Sequence, residues 1–276
     1  MALPKYKYSK VIEYWKSKEI NTVEKANNIL DNFSILFAYN SGTIENKEIT
    51  YHDTREIFVN GKVINFTGNL RTLYEIENQK KCYYYVIPKI IDKVPLSEEF
   101  IKKIHKTLTK GTYDEKRHEI NKERAGEYKK HDYVTGKNEV GTNPENVQKE
   151  VLELLEEINH VSNPTDEEVI KIAAYTHNVI EQIHPFADGN GRLGRTLANY
   201  ILMFYNLPPI IIYDEDKKYY YAALEKFDEK DDLSSMVEFF KYEMEKTWEK
   251  ALDREYNVSK LPNKLSDYIN NDNNIG

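Results

Sequence analysis

The stretch His184-Pro-Phe-Ala-Asp-Gly-Asn-Gly-Arg-Leu-Gly-Arg195 gathers one imidazole, one carboxylate, three glycines, an amide and two guanidinium groups within twelve residues. Upstream of it, Val169, Ile172, Ala173, Thr176, Ile180 and Ile183 recur at three- and four-residue steps, the period of an amphipathic helix. Downstream the apolar period resumes at Leu193, Leu197, Ile201 and Phe204. The stretch therefore reads as a loop that leaves one helix at His184 and enters the N-terminus of the next. Glycines let such a loop curl, so the N–H groups of Gly189, Asn190 and Gly191 are free to converge on an anion. The helix dipole, Arg192 and Arg195 add positive potential at the same place. The loop reads as a phosphate site.

Each residue type has a task there. A carboxylate beside an anion hole, Asp188, suits a hard divalent cation bridging phosphates. His184 is the one group with an ordinary pKa near neutrality and suits proton abstraction from a hydroxyl. Arg192 and Arg195, three residues apart on one helix, can grip phosphate oxygens as forks. The plain alternative is a glycine-rich helix cap with a structural histidine and surface arginines. A cap needs one or two of these residues and not all of them.

These residues resemble the signature of the Fic family, His-x-Phe-x-(Asp/Glu)-Gly-Asn-Gly-Arg-x-x-Arg, and match every fixed position. The resemblance implies a mainly α fold, a Fic helical bundle with a small β-hairpin flap. It also implies transfer of AMP from Mg-ATP to a protein hydroxyl with release of pyrophosphate. By position, His184 resembles the general base, Asp188 the Mg2+ ligand and Asn190 an α-phosphate contact. Gly189 and Gly191 resemble the anion hole, Arg192 and Arg195 the β- and γ-phosphate contacts, and Phe186 a buried anchor that fixes the loop from below.

A second stretch, Ser41-Gly-Thr-Ile-Glu45-Asn46, resembles the family's inhibitory motif, (Ser/Thr)-x-x-x-Glu-(Gly/Asn). A carboxylate delivered by Glu45 to Arg195 would occupy the place a γ-phosphate wants. ATP would then sit with its α-phosphate misaligned for in-line attack, and about 1 Å of misplacement can cost roughly a hundredfold in rate. Read without the resemblance, Ser41-Gly42 is a helix C-cap and Glu45 a solvated charge. Asn46 stands where glycine is commoner. Lying N-terminal to the catalytic motif, the stretch implies the class with a built-in N-terminal inhibitor.

Composition sets the limits. At 276 residues with net charge −7 and pI about 5.6, the chain can bury one large helical core, and general nucleic-acid binding is disfavoured. A single cysteine, Cys82, leaves no internal disulfide framework. The opening residues carry no apolar signal core, and the apolar run from Ile201 to Tyr213 is too short to span a bilayer. The expectation is a soluble, cytoplasmic protein that binds neither nucleic acid nor membrane.

Along the chain, a short aromatic helix around Tyr14 and Trp15 precedes a helix that starts at Asn21 with Glu24 and runs out at Asn40-Ser41-Gly42. A short helix over Thr54-Arg-Glu-Ile-Phe ends at Asn60-Gly61, and Pro95-Leu-Ser97 opens a helix on which His105 reads as structural. Gly126 to Gly136 mixes β-formers with turn residues and reads as a hairpin in the position of the family's flap, which aligns a target segment by strand pairing. As a plain surface hairpin it would leave Lys129, Lys130 and His131 solvated. Thr165 with Glu168 forms a capping box. In Tyr220-Tyr221, packing suits either ring, and the segment resembles the family's adenine side, which places Tyr221 near the nucleotide. Three segments follow: 1–60, an N-terminal helical region with the inhibitory motif; 61–255, the Fic catalytic domain; and 256–276, a polar, disordered tail.

The favoured reading is an adenylyltransferase for Ser, Thr or Tyr hydroxyls of a target protein. The 22 tyrosines make self-modification a hypothesis, and a homodimer stays open. The alternatives are AMP removal, with Glu45 activating water, another phosphoryl-type transfer on the same fold, and a non-catalytic nucleotide-binding interaction module. Pure binding needs neither His184 nor Asp188.

Overall fold

The computed structural model describes residues 5–134 and 140–256. Among the described residues ten α-helices carry the fold: α1 (Tyr8–Ser17), α2 (Val23–Glu45), α3 (Tyr51–Asn60), α4 (Leu70–Ile91), α5 (Glu98–Thr109), α6 (Val147–His160), α7 (Asp166–Ile183), α8 (Asn190–Phe204), α9 (Lys217–Lys230) and α10 (Ser234–Tyr256). The mainly α architecture expected from the sequence is what forms. Nearly every residue of α8 from Asn190 to Met203 is buried, so this is the central helix. α7 packs along it, α5, α4 and α2 pack on its other sides, and α10 packs behind α7 against α1 and α9. Trp248 of α10 joins the layers, edge-on to Trp15 at 5.1 Å and donating its indole N–H to the Pro209 carbonyl at 2.8 Å. Each fully buried Leu, Ile or Phe here contributes about 1.5–3 kcal/mol.

Local rules explain most helix ends. Thr165 caps α7 in a complete capping box with Glu168, and Asp166, Glu167 and Glu168 complement the dipole in its first turn. His184 closes α7 in the left-handed conformation. α2 begins one residue later than Asn21 suggests, because the Thr22 hydroxyl accepts from the Lys25 N–H at 3.2 Å.

Two expectations fail. The first is the end of α2, which runs through Asn40-Ser41-Gly42 to Glu45. Gly42 is a contact and not a cap: a side chain there would meet the Ile49 methyl at 2.6 Å. The real end is capped by Asn46, whose N–H donates to the Gly42 carbonyl at 2.8 Å, and by the Lys217 ammonium on the Ile44 carbonyl. The second is the hairpin: among the described residues no strand forms, and Gly126 to Val134 is a run of turns and bends. One backbone bond, Lys129 N–H to the Pro185 carbonyl at 2.9 Å, ties it to the motif loop. Thr135 to Gly136, the far end of that expected hairpin, and nearly all of the expected tail lie outside the described residues.

A small apolar cluster of Ile49, Ile57 and Ile76 sits apart from the main core. It seats the end of α2 against α3 and α4, and so fixes where Glu45 and Asn46 project. Among the described residues no helix is long and apolar enough to cross a membrane.

Candidate active site

The loop between α7 and α8 is built on a buried aromatic stack. Phe186, fully buried, lies flat on His105 of α5 with ring centroids 3.6 Å apart, and Tyr128 packs beside it at 5.4 Å. His105 Nε2 donates to the Asp188 carbonyl at 2.8 Å, and its Nδ1 accepts from the Gly126 N–H at 2.9 Å. These partners fix a neutral tautomer, and burial lowers its pKa from 6.5 to about 3. His105 is therefore structural, as its sequence context suggests, but structural for the site: it joins α5, the loop and the turn at Gly126. Asn190 closes the loop from the other end. Its amide oxygen accepts from the Phe186 N–H at 3.0 Å and its nitrogen donates to the Phe186 carbonyl at 2.8 Å.

Above this base lies a cleft of about 240 Å³, lined by Glu45, Arg117, Glu181, His184, Asp188, Gly189, Asn190, Gly191, Tyr220 and Tyr221 among others. The structure thus brings Glu45, His184, Asp188, Gly189, Asn190, Gly191 and Tyr221 to one cleft. The first-turn N–H groups of α8, at Asn190, Gly191 and Arg192, have no intrahelical acceptor and carry the positive end of the dipole. The Gly189 N–H is already used: it donates to Asp188 Oδ1 at 2.8 Å. His184 has its pKa lowered to about 4, mainly by burial and then by the nearby Lys129 charge, so at neutral pH it is an unprotonated imidazole. Lys129 is not solvated: its side chain is buried, and its ammonium donates to the Val140 carbonyl at 3.0 Å. Lys130 and His131 do face solvent.

The two arginines of the motif part company. Arg195 reaches α2, giving Nε to Ser41 Oγ at 3.0 Å and Nη2 to the Ser41 carbonyl and to Glu45 Oε1, both at 2.9 Å. Behind it stands Tyr220, whose hydroxyl lies 3.5 Å from Arg195 Nη1 and 2.9 Å from His177 Nε2. Burial works against the Arg195 charge, yet Glu45, Tyr220 and Glu181 together raise its pKa above the ordinary value. Glu45 Oε1 lies 2.4 Å from where a Gly191 side chain would begin, so any larger residue at 191 would push that carboxylate from its present place. Arg192 turns the other way, fully buried beneath the loop, with Glu75 at 3.5 Å and Asp188 at 3.7 Å.

Asp188 keeps one carboxylate oxygen toward cationic company, with Arg71 Nη2 at 2.8 Å from Oδ2. A carboxylate lining a phosphate cleft fits Mg2+, which usually takes one or two protein carboxylates and completes its shell from phosphates and water. Among the described residues no three His, Cys, Asp or Glu converge on a metal position. Sequence reasoning missed Arg71, Glu75, Glu181 and Tyr220. Only two had a local signal: Glu181 lies one turn before His184 on α7, and Tyr220 adjoins Tyr221. Burial pushes Glu181 up to about 7 against the pull of Arg195.

The model of the Fic/DOC family matches residues 95–202, which contain the whole His184–Arg195 loop and neither Glu45 nor Tyr221. A Fido domain-containing protein of Dictyostelium discoideum is 35% identical over 95 residues, covering 34% of this chain and 66% of that protein. The protein adenylyltransferase Fic of Drosophila persimilis is 36% identical over 107 residues, 39% of this chain and 20% of its own length. Its counterpart in Nematostella vectensis is 49% identical over 55 residues, 20% of this chain and 13% of its own. The chain thus spans about a fifth or less of those two relatives. In fold, a Fic domain-containing signaling protein from Bacteroides thetaiotaomicron aligns over 93% of this chain and 99% of its own, with TM-score 0.76 and 23% identity. Fic-1 of C. elegans aligns over 91% of this chain and 72% of its own at TM-score 0.72 and 22% identity.

Proposed function

We propose that this chain, a Fic-domain protein through residues 95–202, is a protein adenylyltransferase held down by its own Glu45. The observation that carries the reading is one cleft combining a neutral imidazole at His184, unsatisfied N–H groups at the start of α8, and Glu45 seated on the buried guanidinium of Arg195 just behind the wall. His184 takes the proton of a target Ser, Thr or Tyr hydroxyl as its oxygen attacks the α-phosphorus of ATP. The bond from that phosphorus to the bridging oxygen of the β-phosphate breaks, and pyrophosphate leaves. The N–H groups of Asn190, Gly191 and Arg192 receive charge developing on the phosphate, and Arg195 holds the terminal phosphate in line. The Asn190 amide and Arg192 serve the loop from below, the first on Phe186 and the second on Glu75 and Asp188. Tyr221, half exposed beside the cleft, flanks the nucleoside. Asp188 would hold Mg2+, which neutralises phosphate charge when bound. Residues 61–255 are the catalytic domain in this reading, and residues 1–60 deliver the inhibitor.

Glu45 competes with the terminal phosphate for the same guanidinium. Because its side chain is 40% exposed while Arg195 is 2% exposed, the carboxylate is the partner that can leave. The position of Glu45 in the cleft also favours a second reading, hydrolytic removal of AMP with Glu45 activating water. The test is incubation with Mg2+ and ATP labelled on the α-phosphate, for wild type, Glu45→Gly and His184→Ala, with γ-labelled ATP alongside. We expect α-label on protein to rise about tenfold to a hundredfold in Glu45→Gly and to vanish in His184→Ala. Equal label in wild type and Glu45→Gly removes the inhibitory role of Glu45. Transfer of γ-label alone makes the reaction a phosphorylation.

A further inference from the structure

We propose that Arg71 is a resident competitor for the divalent cation at Asp188, held in place by Glu75 and through it by Asn46. The segment that carries Glu45 then governs metal loading as well as phosphate binding. The inference rests on the nucleotidyl-transfer reading above and adds a second point of control to it.

Asp188 has two oxygens with different fates. Oδ1 is fixed by the N–H of its own neighbour Gly189 at 2.8 Å. Oδ2 is the oxygen left for a cation, and Arg71 Nη2 sits on it at 2.8 Å. A guanidinium on a carboxylate is a charge-assisted bond. Mg2+ would take that oxygen at about 2.0–2.1 Å. The oxygen has lone pairs for two partners, but a guanidinium already 2.8 Å away draws on the same negative charge and repels the incoming ion. Arg71 therefore opposes Mg2+ at Oδ2.

Arg71 is aimed. Its Nε donates to Glu75 Oε1 at 2.9 Å, one helical turn along α4. Glu75 is 3% exposed, so its carboxylate is a fixed post. The other oxygen of Glu75 accepts from Asn46 Nδ2 at 2.8 Å, and that nitrogen also lies 3.1 Å from the Thr72 hydroxyl. Asn46 caps α2 directly after Glu45. A continuous chain of polar contacts thus runs Asn46, Glu75, Arg71, Asp188. Arg192 stands 3.5 Å from Glu75, so Glu75 keeps a cationic partner when Arg71 is released. Withdrawal of the Glu45–Asn46 segment would remove the anion from Arg195 and one anchor of Arg71 in a single movement.

The test measures metal binding, not turnover. Mn2+ is titrated into the full chain, carrying Glu45→Gly and saturated with the α,β-methylene analogue of ATP, and free Mn2+ is read by paramagnetic resonance. Arg71→Ala and the gentler Arg71→Gln are expected to tighten Mn2+ about fivefold, the size of one partly exposed ion pair. Glu75→Gln should tighten it about twofold by the same measure, through a looser Arg71, and Asp188→Ala should abolish the site. Analogue affinity without metal should be unchanged by Arg71→Ala. Unchanged or weaker Mn2+ binding in both Arg71 variants overturns the proposal and leaves adenylyl transfer standing. Weaker metal-free analogue binding in Arg71→Ala also overturns it, since Arg71 would then be a phosphate ligand. Failure of the analogue to bind even in Glu45→Gly overturns the transfer reading and this one with it.

Discussion

Two ion pairs face each other across the cleft, and they are built in opposite senses. In Glu45–Arg195 the guanidinium is the fixture: it is buried, gripped by the Ser41 hydroxyl and carbonyl, and backed by the Tyr220 hydroxyl. Its carboxylate partner comes from outside the loop and is half in solvent. In Asp188–Arg71 the carboxylate is the fixture, tied to its own loop by Gly189, and the guanidinium comes from outside, 37% exposed. Each pair therefore keeps the member that the proposed chemistry needs and covers it with one that can be removed. In each pair the departing partner is already partly solvated, so its own departure costs little; the buried Arg195 charge left behind then needs another anion, such as a phosphate, in its place.

The asymmetry can be broken at its strongest point first. If Arg195 is a fixture that serves catalysis, Glu45→Gly combined with Arg195→Ala should lose more than about a hundredfold in α-label transfer relative to Glu45→Gly alone. A double variant as active as Glu45→Gly would make Arg195 part of the lock only. Next comes the backing of that fixture. Tyr220→Phe removes a buried hydroxyl shared by His177, Arg195 and Glu181. It should cost about 1–3 kcal/mol, seen as a lower midpoint in denaturant with an unchanged slope; no loss would show that Arg195 stands without it. The last effect lies under the loop and shows only on acidification. The His105 pKa is depressed from 6.5 to about 3, so the stability it contributes is present above pH 6.5 and is lost as pH falls toward 3. Gln can reproduce both hydrogen bonds of His105 without titrating. Between pH 6.5 and 4, wild type should lose stability about 1.4 kcal/mol per pH unit more steeply than His105→Gln. Parallel curves would mean that His105 is charged or solvated.

How much of this was legible in the chain follows from sequence distance. The α7 capping box, the loop at His184 and the entry into α8 rest on neighbours within a turn or two, and the sequence carries them openly. The end of α2 was misread because Gly42 looks like a cap, whereas it is a gap left for Ile49, a residue brought back by the turn after Asn46. The hairpin was misread because alternating β-formers were set against no partner strand; the segment instead spends its groups on Pro185, Glu123 and His105. Arg71 lies 117 residues from Asp188, and nothing in the pattern of α4 marks it as other than the solvent half of an i,i+4 pair. The motif names the carboxylate. Only packing shows what sits on it.

The Glu45–Arg195 contact also has a direction in time. Its partners are 150 residues apart, with the carboxylate upstream. At about 5–20 residues per second, a ribosome makes Glu45 roughly 8–30 s before Arg195. By then α2 can already be seated on α3 and α4 through Ile49, Ile57 and Ile76, all of them upstream of the loop. On the reading proposed above, the helix that carries Arg195 emerges into a place where the restraint is waiting. A new chain would have no unguarded interval, and a cell making it would need no second protein to keep it quiet.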